Sequence, residues 1–184
     1  MTFGAQTERT LHVGQGDHHI SAEPDVVMST ILGSCIAACI RDPHLKLGGM
    51  NHFLLPEGED GIGEDEARRY GVNAMEILIN GLLKAGARRE RLQAKLFGGA
   101  SMFSQLRNIG AENAAFATRF LQAEGIAVIG GDTGGTQARR IRYRPSTGQA
   151  MQRLLTDADP SMFTRERKLA VPLPTASTGD LELF

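Results

Sequence analysis

Disulfides cannot hold this chain. Its 184 residues include only two cysteines, Cys35 and Cys39, so a cross-linked framework is excluded and a reactive or simply buried thiol remains. No apolar run approaches the ~20 residues of a membrane-spanning helix. Residues 1–13 lack the regions of a signal peptide, so a cytoplasmic protein without membrane insertion is expected. An excess of charge is missing too. Lys+Arg total 20 against Asp+Glu 21, a net charge of −1, and nothing in that balance draws the protein to nucleic acid or anionic lipid. What is present is a globular composition, 41% hydrophobic and 22% charged, in a length that suits one domain burying roughly 70% of its unfolded surface. Glycine is the outlier, at 22 residues against a usual share of ~7%.

Hydrophobic periodicity divides the chain into short elements. The first ten residues carry no pattern and are expected to fray. Leu11–Val13 begins a short strand, and the β-branched run 26–32 makes a longer one that stops at Gly33. Residues 35–42 and 48–56 read as a hairpin turning over Asp42, Pro43, His44 and Leu45, since Asp-Pro favours turn initiation. A helix from Cys35 is the rival, but it would reach Pro43 after only about two turns. After an acidic loop over 57–66, Ala67, Tyr70, Ala74, Ile77, Leu78 and Leu82 fall at helical spacing, with Gly86 as the stop. Further strands are expected at 92–97, at 126–129 (ended by Gly130-Gly131), at 140–144 and from Met151 to Leu155, with a second helix over 111–124. Two helices among roughly eight strands predict an α/β or α+β sandwich. A flexible leader, 1–10, and an extended tail, 156–184, flank the domain at 11–155.

The residues best suited to chemistry are Cys35 and His52. A hairpin turning over 42–45 sets them directly opposite each other, with Cβ atoms ~4.5–5.5 Å apart on one face. A thiol of pKa ~8.5 is only slightly ionised at neutral pH, and a neighbouring imidazole can take its proton and later protonate a leaving group. Gly33 lets the chain bend where the strand ends, and N–H groups near Ser34 and Cys35 could hold an oxyanion. The plainer alternative is an inert buried thiol and a structural histidine. Cys39 reads as a buried hydrophobe, and one histidine with two cysteines does not complete a zinc site. His18 and His19 read as exposed loop residues. The loops Gly98-Gly99 and Gly130–Gly135 follow strands but lack phosphate-binding spacings. They suit backbone bends or close approach to a substrate, and nucleotide binding ranks low. The arginines at 139, 140, 142 and 144 form a solvated strand face by default, or a docking surface for an acidic partner.

Six segments together resemble the CheD family of chemoreceptor glutamine deamidases. They are Leu32-Gly33-Ser34-Cys35, Arg41-Asp42-Pro43, Gly48 to Phe53 with Leu55-Pro56, Gly98 to Phe103, Asn108 to Ala111, and Asp132 to Gly135, spread over residues 11–155. The resemblance implies a single-domain, three-layer α/β/β sandwich and a cysteine hydrolase that needs no metal or organic cofactor. It carries the nucleophile to Cys35 and the base to His52. The family's third member is a threonine six residues before the cysteine. That position holds Ser29 here, with Thr30 beside it, so either hydroxyl could orient His52. Gly33, Ser34, Gly98 and Gly99 become the expected oxyanion and substrate loops. The implied reaction converts glutamines on the cytoplasmic helices of methyl-accepting chemotaxis receptors to glutamate, with hydrolysis of glutamate methyl esters as a further activity. The alternative is a non-catalytic adaptor for receptors or for the CheC phosphatase. A monomer is expected.

Overall fold

The strand that follows Cys35 is buried on both faces, and its alternation explains the architecture. In the computed structural model, which describes residues 7–56, 63–102 and 108–155, this strand spans Ile36–Asp42. Ile36, Ala38 and Ile40 point into one apolar cluster, while Cys35, Ala37 and Cys39 point into another. A strand with no polar face must lie between two layers.

Nine strands and two long helices are found among the described residues. They are β1 (Arg9–His12), β2 (His18–Ser21), β3 (Val26–Leu32), β4 (Ile36–Asp42), β5 (Leu47–Asn51), α1 (Glu64–Lys84), β6 (Gln93–Gly98), α2 (Ile109–Ala123), β7 (Ala127–Thr133), β8 (Arg139–Arg144) and β9 (Gln149–Leu154). One sheet has the order β1-β3-β8-β9 and the other β2-β5-β4-β6-β7. Both helices pack on the five-stranded sheet, with Met75, Leu78, Ile79 and Leu82 of α1 and Phe116, Ala117 and Leu121 of α2 in its apolar cluster. The second cluster fills the space between the sheets with Val26, Met28 and Leu32 of β3, Ile141 and Tyr143 of β8, and Cys35, Ala37, Cys39, Met50 and Phe97 from the other side. The layers are therefore α/β/β, as expected.

Several local expectations change. The β4–β5 turn uses residues 43–46, because the Asp42 carboxylate accepts the N–H groups of His44 (3.0 Å) and Leu45 (3.4 Å), and Lys46 takes a left-handed φ of 53°. Asp42 consequently keeps a strand position opposite Leu47, and Cys39 pairs with Met50, two residues further along β5 than expected. His18 and His19 are not loop residues but the start of β2, paired with Asn51 and Met50. Arg9 and Thr10 belong to β1 rather than to a frayed end. The Gly130-Gly131 pair does not end β7, which runs on to Thr133 alongside β6 with a register shift at Ala94/Lys95. Ile77, placed by spacing on the helix's apolar stripe, is 42% exposed. Arg139, expected on a solvated face, is 2% exposed; its guanidinium binds the backbone oxygens of Asp132 and Gly134. The rest of that stretch behaves as a surface, with Arg142 and Arg144 both on Glu8. The tail from Thr156 and most of the acidic loop lie outside the described residues.

Candidate active site

The chain between β3 and β4 is held by all three of its carbonyls. Gly33 O accepts from Ala100 N (2.9 Å), Ser34 O from the Asn113 side chain (2.9 Å) and Cys35 O from Gly99 N (2.8 Å). Gly98 explains why glycine sits at the end of β6. Its φ is 106°, and a Cβ there would stand 2.0 Å from Cys35 O. The Gly98 carbonyl in turn accepts from Gly134 N, and Ser101 N donates to Gly135 O, so the two glycine loops clasp each other behind Cys35. Gly98 and Gly99 thus support the Cys35 backbone.

Asn113 adds a second brace. It is fully buried on α2, and its Oδ1 accepts from Leu55 N (3.1 Å) while its Nδ2 serves Ser34 O. One side chain therefore ties the turn before Cys35 to the segment after His52. Leaving either backbone group unpaired inside the protein would cost ~1–3 kcal/mol.

His52 follows β5, where its backbone pairs towards β2: His52 N donates to Asp17 O (3.1 Å) and Gly16 N to His52 O (2.7 Å). The Ile36–Phe53 bridge continues the β4–β5 ladder beyond it. In that register Cys35 and His52 are diagonal neighbours on one face instead of directly opposed. Diagonal side chains remain within mutual reach.

The hydrogen bonds around the ring assign its tautomer. Thr30 has one hydroxyl proton, and the carbonyl of Val13 can only accept it, over 2.7 Å. Thr30 Oγ1 must then accept from His52 Nδ1, 2.9 Å away, with Val13 O also near that nitrogen at 3.3 Å. The proton is on Nδ1. Nε2 carries the lone pair, is buried, and makes no hydrogen bond among the described residues. Burial drives the His52 pKa down to about 4, although the Val13 carbonyl and Asp17 pull the other way. The ring is neutral at pH 7, with its lone pair at Nε2.

Thr30, not Ser29, therefore meets the histidine. The two are adjacent on β3, so they face opposite sides of the sheet, and the face carrying Met28 and Leu32 is the one that looks towards His52. Cys35 itself is fully buried. Its sulfur lies 3.8 Å from Gln15 Oε1, and its electrostatic influence reaches Tyr70 of α1, whose phenol is raised by burial first and by Cys35 second. Cys39 shares the face of Cys35 but sits mid-strand, where burial pushes its thiol up against a weaker opposing pull from Lys95. Gln15 and Asn113 were not singled out by sequence reasoning. Asn113 left a signal, a polar residue on the same helix face as Phe116, Ala117 and Leu121. Gln15 left none beyond its flanking glycines.

The chain is similar to known proteins over most of its length. The family model for CheD chemotactic sensory transduction matches residues 54–154. The probable chemoreceptor glutamine deamidase CheD of Caulobacter vibrioides is 54% identical over 174 residues, covering 95% of this chain and 92% of its own. Proteins of the same description from Agrobacterium fabrum (96% of this chain, 97% of its own) and Rhizobium leguminosarum (100% of both) are each 49% identical. These alignments extend across Cys35 and His52, which the family-model match does not reach. Among solved structures, a Neisseria meningitidis protein, NMB0706, superposes with a TM-score of 0.46 at 12% identity, covering 80% of this chain and 74% of its own. Among the described residues no helix is long and apolar enough to cross a membrane.

Proposed function

The chain belongs to the CheD family, and on that premise we propose that it deamidates glutamines of chemotaxis receptors with Cys35 as nucleophile and His52 as base. The supporting observation is the Thr30 hydroxyl, which hands its own proton to Val13 and so holds the His52 proton on Nδ1. The basic nitrogen, Nε2, then faces the reaction.

Nε2 removes the Cys35 proton as the sulfur attacks the carboxamide carbon of a receptor glutamine. Backbone N–H groups at Ser34 and Cys35 receive the oxyanion. The protonated ring returns its proton to the carboxamide nitrogen, ammonia departs, and a thioester remains. Water, deprotonated at Nε2, hydrolyses the thioester to glutamate and restores the thiol. The net change is glutamine plus water to glutamate plus ammonia. Because burial disfavours the charged ring, the resting pair is thiol and neutral imidazole, and separated charges form only as the substrate reacts.

A glutamate methyl ester would follow the same path with methanol as the leaving group. The catalytic domain runs from β1 at Arg9 to residue 155, acting as a cytoplasmic monomer, with CheC as a further partner. Mass spectrometry of a purified receptor fragment incubated with the protein tests this reading. Conversion of glutamine to glutamate is expected. Binding of the fragment without conversion would instead make the protein an adaptor.

A further inference from the structure

Beside the sulfur stands a carboxamide that the mechanism above does not use. Gln15 lies in the loop between β1 and β2, and its side chain is half-buried with Oε1 3.8 Å from Cys35 Sγ. The loop carrying it is fixed. Gly14 and Asp17 bond each other twice, Gly14 N to the Asp17 carboxylate (3.2 Å) and Asp17 N to Gly14 O (3.0 Å). Gly16 N and Asp17 O are taken by the backbone of His52. Gln15 is therefore held in register with the histidine and presented to the cysteine. His52 Nε2 is buried and has no hydrogen-bond partner among the described residues.

We propose that Gln15 is a further catalytic residue whose carboxamide stabilises negative charge at the Cys35 sulfur and on the oxyanion formed beside it. This rests on the assignment of Cys35 as nucleophile. A carboxamide is suited to both states of the sulfur, since its oxygen accepts from the thiol and, after a half-turn about the last side-chain bond, its nitrogen donates to a thiolate. The oxyanion is attached to the same carbon that bonds Sγ, so a donor touching Sγ is within reach of that oxygen. No atom of Gln15 is consumed: the proton goes to His52 and the leaving group is ammonia, as before. The loop fixes the position of the carboxamide before the substrate arrives, so that half-turn is the only rearrangement a donor to the developing charge requires.

The test uses Gln15→Leu and Gln15→Glu in a Cys39→Ala background, so that only Cys35 reports. The titratable neighbours, His52, Tyr70 and Asp17, are the same in every variant. Iodoacetamide alkylation is followed across pH, and receptor deamidation is measured in parallel. In Gln15→Leu the alkylation midpoint should rise by about one pH unit, and in Gln15→Glu by more, because a carboxylate repels the thiolate. In Gln15→Leu kcat should fall about 10²-fold with KM within about twofold. Unchanged midpoints in both variants would overturn the proposal. Faster alkylation and faster turnover in Gln15→Leu would overturn it too, by showing that the side chain merely plugs the site. If the unsubstituted protein alkylates but does not deamidate the receptor, the proposed function fails while the alkylation profiles still judge Gln15.

Discussion

Cys35 and Cys39 lie four residues apart, on the same face, and both are buried, yet their surroundings differ in kind. Cys39 sits mid-strand between ladders to Met50 and Lys95, facing an apolar cluster. Cys35 stands where β4 begins, and there β5 hands its backbone pairing over to the Gly14–Asp17 loop. That handover brings His52, Thr30 and Gln15 to one end of the sandwich. Mid-strand burial gives a thiol that resists ionisation, whereas the strand end collects polar partners whose backbones are pinned. The proposed chemistry belongs to the end of the ladder, not to cysteine as such.

The comparison breaks most sharply at His52. His52→Ala should lower deamidation by about 10³-fold, the range for loss of a positioned base, with the receptor still bound. Next comes the hydroxyl pair. Thr30→Val should lower kcat by about 10²-fold by releasing the Nδ1 proton. Ser29→Ala, on the opposite face of β3, should stay within about twofold. Equal effects of the two would remove Thr30 from the relay.

Stability against pH sharpens the same contrast. The folded His52 pKa of about 4 lies below its ordinary 6.5, so the unfolded chain binds the extra proton between those values. Stability from this group is complete above pH 6.5 and is lost as pH falls towards 4, by about 3 kcal/mol in all. Urea midpoints between pH 7 and pH 4.5 should show this slope, and His52→Phe should flatten it. Asn113→Leu should cost at least ~2 kcal/mol of stability, because the buried Ser34 O and Leu55 N each lose a partner. It should also lower kcat more than it raises KM, since it loosens the turn that carries Cys35.

Much of this was legible in the chain. Strand β3, helix α1 and the Cys35/His52 pairing on one face follow from β-branched runs, helical spacing and a turn at Asp42-Pro43. The two-residue register difference was not, because it depends on Lys46 accepting a left-handed φ and on Asp42 capping the turn. The choice of Thr30 over Ser29 needed the direction of β3's faces, which spacing from a single cysteine does not supply. Gln15 lies in a loop, and a loop residue's neighbours are set by long-range pairing, here by the backbone of His52. Arg139 escaped because alternating arginines read as a wet face until its guanidinium is seen to turn inward and donate to the backbone oxygens of Asp132 and Gly134.

The most direct test is the receptor deamidation assay run side by side on Cys35→Ala and Cys39→Ala. The account predicts no conversion with Cys35→Ala and near-normal conversion with Cys39→Ala, whose cost should be limited to about 1 kcal/mol of stability. Conversion that persists without Cys35, or is lost without Cys39 in a folded protein, would contradict it.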